Sequence, residues 1–412
     1  MIKEYVIEKR KELIARIQDS SLVSVENTQT DLTTLRLYLN GKIGLAKAIG
    51  SYDEIEFEKM AFQNVKDGPE YIIEPTSDKQ IEIVYNYMIA KGTDFVADMK
   101  DFMNTLHQAF PMIRLHDQIK LVDHTFQLFN NNGVYLSYQD HILDIALCYE
   151  YVFQNEKRVG LFQFKGRRYE KENFVSHLSG LFNACLNPEC KKPEKQIPLI
   201  ISTQDSHFFT PLVAFLNGEN YSDPSSYPAS LIGTACFHPS FSFFQSRDPE
   251  IHFIPFFDAE GVVNDSFRTP LIQDGVLKTP YTNKKISHEK GLPLTGSSLS
   301  KWGEMPDLKL EAFDIHPTHQ NLSDILHGES ALLLQQLNCT LQDGSENIVV
   351  NAEQVFLTDG KTLLGCLPPI TFFIRWKDLF SNHFQGVTIE PIIPFSNHFG
   401  FVLQSVPYQW KY

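Results

Sequence analysis

The sequence lacks any uninterrupted apolar run long enough to span a membrane, which takes about 20 residues in a helix. Its first stretch, MIKEYVIEKRKELIARI, mixes charged and apolar side chains and so lacks the apolar core of a signal peptide. The six cysteines form no Cys-x-x-Cys pair and have no regular spacing, which favours reduced thiols over a disulfide framework. We therefore expect a cytoplasmic protein without a membrane partner.

Basic side chains are outnumbered, with 36 Lys and Arg against 50 Asp and Glu and a formal net charge of −14. The acidic residues are spread along the chain and do not form an acidic tail. This balance disfavours binding to a phosphate backbone, so we expect no nucleic-acid partner. At 412 residues with 42% hydrophobic side chains, the chain is long enough for two cores, and two domains are expected.

The first half has the pattern of helices packed on antiparallel hairpin sheets, which places the chain in the α+β class. Asn40-Gly41 and Asn132-Gly133 lie between strand-like runs, and Asn-Gly is a strong hairpin signal because both residues tolerate positive φ. Apolar residues at helical spacing predict helices over residues 1–18, 52–65, 78–91, 93–110 and 170–186.

A linker follows these elements. The segment from Asn187 to Pro193 contains two prolines and a charge run, which end a helix and resist regular structure. We therefore predict an N-terminal α+β domain over residues 1–190 and a C-terminal, mostly-β domain over residues 195–412.

The second domain should open with a buried strand over residues 197–202 and a short helix over residues 206–216. Asp205-Ser206-His207, where this helix begins, has the residue types of a nucleophilic triad. Adjacent side chains point apart on a helix or a strand, so these three cannot form one hydrogen-bonded relay. Capping of the helix by Asp205 or Ser206 is the better interpretation.

The segment from His252 to Gly296 is the centre of the second half. Residues 252–257 form an aromatic-rich apolar run that predicts a buried strand. Asp274-Gly275 separates two further apolar runs and predicts a hairpin, because Gly takes the positive φ that the turn requires. Gly291, Pro293 and Gly296 then interrupt any regular element and predict a shaped loop.

Three motifs in this segment resemble the central signature of the TldD/PmbA family, in their order and in their spacing. They are D-x-E-G-V at residues 258–262, R-T-P-L-I-x-D-G-V-L-K at 268–278 and G-L-P-x-T-G at 291–296. The resemblance implies a two-subunit cytoplasmic metallopeptidase, a hydrolase of the kind also called modulator of DNA gyrase. In that family the TldD-type subunit carries zinc and the TldE-type (PmbA) subunit does not.

The signature residues also have structural explanations, since Asp-Gly turns and an Arg paired with a nearby Asp are common scaffold devices. We favour a structural role over catalysis for all of them: Asp258, Gly261, Arg268, Asp274, Gly275, Gly291 and Gly296. No catalytic residue is therefore assigned to this chain.

The family's zinc motif, H-E-x-x-x-H, lies on the helix that follows the first strand of the second domain, which here is residues 206–216. If His207 matches the first His, Phe208 stands in place of the Glu and Leu212 in place of the second His. A zinc peptidase needs three protein ligands and a carboxylate base, which one imidazole cannot replace. The resemblance is thus closer to the TldE/PmbA-type subunit. We expect no cofactor, and zinc only where a partner subunit supplies the site.

Three further residues are candidate ligands. The family's zinc subunit uses a C-terminal Cys as its third ligand, which makes Cys366 a candidate, although its neighbours do not match that motif. His316 and His319 have a ligand-like spacing, but Pro317 between them favours an extended segment in which two imidazoles need not converge. A buried thiol and a polar surface loop are the favoured interpretations.

Three functions remain open from the sequence. The first is a TldE-like, metal-free subunit that helps a TldD/TldE-type peptidase bind its peptide substrate, in a dimer with a TldD-like subunit or with a second copy of itself. The alternative is a non-proteolytic binding or scaffold protein derived from the same fold, which the divergent C-terminal region favours. The third is a zinc peptidase with rearranged ligands, which requires metal in the purified chain.

Overall fold

The computed structural model describes residues 1–86, 89, 92–153, 156–187, 190–221, 225–342, 346–393 and 398–411. Its first half is one large sheet with helices packed on it. The strands are β1 (Ile2–Gln18), β2 (Ser21–Leu39), β3 (Lys42–Ile49), β4 (Gln80–Val84), β5 (Arg114–Asn130), β6 (Tyr135–Phe153) and β7 (Glu156–Gly166). The helices are α1 (Glu54–Lys66), α2 (Gly92–Ala109) and α3 (Lys171–Leu186).

The strands of this N-terminal sheet follow the order β3-β2-β1-β5-β6, and both β4 and β7 pair with the edge of β6 that faces away from β5. β4 is parallel to β6, whereas the other neighbours are antiparallel. The predicted turn at Asn40-Gly41 joins β2 to β3, with φ of 52° and 72°. The turn at Asn132-Gly133 joins β5 to β6. The prediction of helices on antiparallel hairpin sheets is confirmed.

The second half is mostly β-structure, as predicted. Its strands are β8 (Leu199–Ser202), β9 (Phe243–Ser246), β10 (Arg268–Gln273), β11 (Val276–Leu277), β12 (Ser298–Leu299), β13 (Asp307–Leu308), β14 (Phe313–Ile315), β15 (Ala331–Leu341), β16 (Asn347–Thr358), β17 (Leu363–Leu367), β18 (Ile370–Arg375), β19 (Phe384–Pro391), β20 (Phe399–Leu403) and β21 (Tyr408–Trp410). Its helices are α4 (Ser206–Phe215), α5 (Tyr227–Ser230), α6 (Pro249–His252), α7 (Lys284–Lys290), α8 (Leu322–Leu326) and α9 (Trp376–Leu379).

Two sheets make up most of this half. The larger has the order β19-β20-β8-β15-β16-β18-β21, with β17 also paired to β16, and the smaller has the order β11-β10-β9-β14. Only β8 and β15 run parallel among the described pairs of the larger sheet. Between the sheets lies an aromatic core that includes Phe208, Phe209 and Phe380, each fully buried. α4 and β8 are therefore held at the centre of this half.

The helix predicted over residues 1–18 is wrong, because this stretch forms strand β1. The strand pairs along its length with β2 and from Glu4 to Ile17 with β5, so backbone hydrogen bonds are made at both edges. Intrinsic helix preference differs among ordinary residues by less than about 1 kcal/mol each, which long-range pairing readily outweighs. The buried Glu4 carboxylate also lies 3.1 Å from the buried Arg36 guanidinium on β2.

Two other predicted elements differ from the structure. Within residues 78–91 the chain forms strand β4, while Tyr87, Met88, Ala90 and Lys91 lie outside the described residues. The strand predicted over residues 252–257 is wrong, since helix α6 ends at His252 and Phe253 has a φ of 53°. Phe253, Phe256 and Phe257 are nevertheless buried. An apolar run reports burial, and it cannot by itself distinguish a strand from a buried loop.

The boundary between domains 1–190 and 195–412 stays a prediction. From α3 to β8 the described residues form neither helix nor strand, and Pro188 and Glu189 lie outside them. One core cluster contains side chains from both halves, including Phe182 of α3 and Val402 of β20. The two halves therefore share buried apolar surface. None of the helices within the described ranges is long and apolar enough to cross a membrane.

The hairpin predicted at Asp274-Gly275 is confirmed, with φ of 52° and 75° at the turn between β10 and β11. The turn also packs tightly, because a Cβ atom on Gly275 would lie 2.6 Å from the Phe237 carbonyl oxygen and 2.8 Å from that of His238. Gly275→Val should therefore lower the free energy of unfolding by at least about 2 kcal/mol, as backbone strain and a clash add together. Chemical denaturation measures this change.

Gly233→Val is the matched control, because Gly233 also has a positive φ of 81° but has open space around its Cβ position. Only the conformational strain applies there, on the order of 1 kcal/mol. Equal losses for the two variants would contradict the close approach at Gly275.

Candidate functional site

Helix α4 carries the positions at which the zinc motif of the family would lie. The predicted cap is confirmed, since the Asp205 carboxylate accepts a hydrogen bond from the Phe208 backbone N–H at 3.1 Å. His207 is exposed in the first turn of α4, whereas Phe208 and Leu212 are fully buried in the aromatic core. The residues at these positions do not fit zinc, because two of the three offer no donor atom and face the core.

A long groove runs past the start of this helix. It consists of two cavities with volumes of about 500 and 950 Å³ that share lining residues on α3, β15 and the segment after β19. The shared residues are His177, Leu181, Leu333, Gln335, Ile392 and Ile393. We call this feature the α3 groove. Each cavity has a volume in the range of ligand sites, and two adjoining cavities suit an extended chain better than a compact molecule.

The lining of the α3 groove contains the charged side chains of Asp205, Asp324, Lys361 and Glu390, and its other side chains are aliphatic, aromatic, amide, hydroxyl or imidazole groups. Burial lowers the pKa of His177 to about 4. Burial, and then the nearby His177, lower the pKa of His398 to about 4, and its Nδ1 lies 2.9 Å from the Ser202 hydroxyl. Both imidazoles are therefore uncharged at neutral pH. Aliphatic, amide and hydroxyl groups of this kind match a polypeptide backbone with uncharged side chains.

The other candidate ligands do not join His207. The Cys366 thiol is buried beside the Tyr151 hydroxyl, at 3.3 Å, and is not part of the groove lining. The His319 Nδ1 lies 2.8 Å from the hydroxyl of Thr318, and the backbone N–H of His316 donates to the Ser242 carbonyl. In the part of the chain that the structure describes, no three His, Cys, Asp or Glu side chains are grouped so as to hold a metal.

Asp258 and the signature glycines lie in turns, loops and a helix cap, and Arg268 begins β10. A structural role for these residues stays a prediction. The buried Asp258 carboxylate accepts hydrogen bonds from the backbone N–H groups of Glu260, Val262 and Ser298, at 2.9, 2.9 and 3.2 Å. Gly261, Gly291 and Gly296 have positive φ, and Gly291 ends α7. The Arg268 guanidinium lies over the Phe244 ring, 4.8 Å from its centroid.

A buried polar cluster next to Asp258 was missed by sequence reasoning. The Glu260 carboxylate accepts hydrogen bonds from the Tyr71 hydroxyl at 2.9 Å and from the Lys284 backbone N–H at 2.8 Å. The Lys284 ammonium donates to the Thr76 hydroxyl at 2.8 Å. Glu260 lies inside the D-x-E-G-V motif, but its partners are distant in sequence. The cluster ties the segment at residues 71–76 to the second half.

Burial, and secondly the charge of Asp258, raise the pKa of Glu260 to about 7. The folded chain therefore holds a proton that the unfolded chain has released, over the range from about pH 4.5 to 7. The contribution of Glu260 to the free energy of unfolding is therefore fully present below about pH 4.5, and it is lost as the pH rises to about 7. We expect wild type to lose on the order of 2 kcal/mol relative to Glu260→Gln between pH 5 and 7.

Denaturation curves at several pH values measure this difference. Glu289→Gln, on the exposed side of α7, is the control and should follow the wild-type curve. A Glu260→Gln variant with the same pH dependence as wild type would show that Glu260 is ionised throughout.

The fold defines a class, an α+β chain with a large N-terminal sheet and a mostly-β second half. Within it, residues 194–388 match the family model described as the PmbA/TldA metallopeptidase C-terminal domain. No curated protein matches the sequence. Residues 194–388 are thus similar to a PmbA/TldD-type C-terminal domain, and the resemblance to the TldD/PmbA family is confirmed.

Solved structures extend the likeness to the whole chain. TldE from Thermococcus kodakarensis superposes with a TM-score of 0.81 at 16% identity, covering 99% of this chain and 96% of that one. A protein from Thermotoga maritima, described as a modulator of a DNA gyrase, has a TM-score of 0.74 at 12% identity, covering 99% and 96%. One from Bacteroides thetaiotaomicron, similarly described, has a TM-score of 0.75 at 11% identity, covering 100% and 95%. The chain therefore has the TldE fold.

Proposed function

We propose that this chain is a TldE/PmbA-like subunit of a TldD/TldE-type peptidase, and that it takes part in binding a polypeptide while a partner supplies zinc. The observation that carries the proposal is the α3 groove, which passes α4 where zinc ligands would stand. At that place the groove is lined by Asp205, Ser206 and His207, while Phe208 and Leu212 lie in the core. Such a groove can position a peptide, but His207 alone cannot hold a metal that would activate water.

The partner in this proposal is a chain that carries H-E-x-x-x-H, or a second copy of this chain in a homodimer. An extended peptide would lie along the α3 groove, with its backbone amides hydrogen-bonded by groups such as Gln335. The cytoplasm is the proposed compartment, since reduced cysteines suit it.

Affinity capture with the full-length tagged chain tests the partner. We expect a stoichiometric companion whose sequence contains H-E-x-x-x-H, and peptide hydrolysis by the pair that a zinc chelator abolishes. A chain that only self-associates, with no hydrolysis by the assembly, would overturn the peptidase proposal and favour a non-proteolytic binding or scaffold protein.

The isolated chain is expected to contain no stoichiometric zinc and to cleave no peptide, because His207 alone cannot retain the metal. His207→Ala should leave hydrolysis by the assembled complex largely unchanged. His207 is exposed, and it belongs to no group of three possible metal ligands among the described residues. Elemental analysis and a peptidase assay check both points. About one zinc per chain, lost on His207→Ala, would instead support a peptidase with rearranged ligands.

A further inference from the structure

A second cavity lies between the two halves of the chain. It has a volume of about 310 Å³ and is bounded by one face of the N-terminal sheet and by the loops at residues 253–259 and 299–302. We call it the sheet cleft. It shares no lining residue with the α3 groove. Its volume is near the lower limit for a small-molecule site.

Aromatic side chains line both sides of the sheet cleft. Phe126 of β5 faces it from the sheet, while Phe253, Phe257 and Trp302 face it from the opposite loops. The Lys47 ammonium lies over the Trp302 ring, 4.9 Å from its centroid. Planar aromatic rings lining a cavity favour a ligand with an apolar body.

Most charged groups at the cleft already have partners. Arg247 pairs with Glu311 at 2.7 Å, and the His124 Nε2 lies 3.4 Å from the Glu8 carboxylate. Arg10 pairs with Glu12 at 2.7 Å. The two guanidinium groups are therefore already engaged by carboxylates of the protein.

Lys165 and Lys301 are different. Both are exposed and line the cleft, and neither ammonium lies within 4.0 Å of a carboxylate anywhere in the described ranges. Asp144 faces Lys165 across the β6–β7 ladder, yet its carboxylate also makes no ion pair with the described residues. Among the described residues, a ligand carboxylate would therefore be the first anion within 4.0 Å of either ammonium group, beside the aromatic side chains.

We propose that the sheet cleft binds a small organic carboxylate with an apolar body, of the size of an N-acylated amino acid. The carboxylate would accept hydrogen bonds from the Lys165 ammonium, and the apolar body would lie against Phe126 and Phe257. The inference does not depend on the proposed peptidase function, because the α3 groove lies elsewhere on the chain.

Titration calorimetry with the full chain tests this assignment, with N-acetyl-L-phenylalanine as the probe. Its amide lacks the charge, and acetate lacks the apolar body, so each should bind at least about tenfold more weakly. Equal binding of the amide, or no binding of the probe at millimolar concentration, would overturn the proposal.

Lys165→Gln should weaken binding of the probe at least about tenfold. The matched control is Lys157→Gln, on the same strand β7, because Lys157 pairs with Glu150 at 2.8 Å and does not line the cleft. Asp144→Asn provides an independent measurement and should tighten binding, since it removes a negative charge beside the site. Unchanged affinity in Lys165→Gln, or an equal loss in Lys157→Gln, would exclude the lysine contact.

Discussion

Replacing Arg167 by alanine is expected to lower the free energy of unfolding by about 3–5 kcal/mol, the cost of leaving one buried partner of an ion pair uncompensated. The Arg167 guanidinium donates to both carboxylate oxygens of Asp140 at 2.7 and 2.8 Å, and Asp140 is fully buried. It also lies 3.7 Å from the centroid of the Tyr85 ring and 4.8 Å from that of Phe253. Removal would leave a buried carboxylate and an empty slot between two rings.

Chemical denaturation of the purified chain measures this loss. Arg375→Ala is the matched control, because Arg375 makes the same two-bond contact with Asp378, at 3.0 and 2.9 Å, but on the surface. Exposed pairs contribute little, so this variant should remain close to wild type. If Arg167→Ala and Arg375→Ala lower the free energy of unfolding by the same amount, burial of the ion pair is not the cause of the loss. Because Phe253 belongs to the second half, the variant should also loosen the contact between the halves.

Gly180→Trp is expected to reduce peptide hydrolysis by the assembled complex about 100-fold or more, as the indole occupies the path of an extended substrate. Gly180 lies on α3 and lines the larger cavity of the α3 groove, and its Cβ position has open space within 4 Å. The fold should tolerate the side chain, because a helix-interior Gly costs about 1 kcal/mol relative to Ala. The loss should therefore appear in kcat/KM and not in stability.

Gly180→Ala is the control and should leave hydrolysis unchanged, with stability equal to or above that of wild type. Turnover that persists in Gly180→Trp would exclude the α3 groove as the substrate path. Capture of the partner by the variant distinguishes a blocked groove from a lost assembly, since only a blocked groove leaves capture intact.

Local turn chemistry was predictable from the sequence. Asn40-Gly41, Asn132-Gly133 and Asp274-Gly275 each form the predicted turn, because these residue pairs tolerate positive φ whatever surrounds them. The same holds for helix α3 and for the Asp205 cap, which depend on neighbours within one turn. The motifs at residues 258–296 likewise indicated the family before any coordinates.

The sites were predictable only in part. His207, Phe208 and Leu212 could be placed on one short helix from the sequence, and the structure adds that two of them are sealed in the core. The Glu260 cluster could not be found, because Tyr71 is 189 positions from Glu260 along the chain. Nothing local to either residue signals that contact.

The sequence by itself determined the α+β class, the hairpin turns, the helix cap and the missing zinc donors, since each depends on residue chemistry over a few positions. Only the tertiary structure decided that residues 1–18 form a strand, because their apolar spacing suits a helix until β2 and β5 supply two backbone partners. It also decided the positions of the α3 groove and the sheet cleft. Both are spaces between elements far apart in the chain, and such spaces exist only once long-range packing has closed around them.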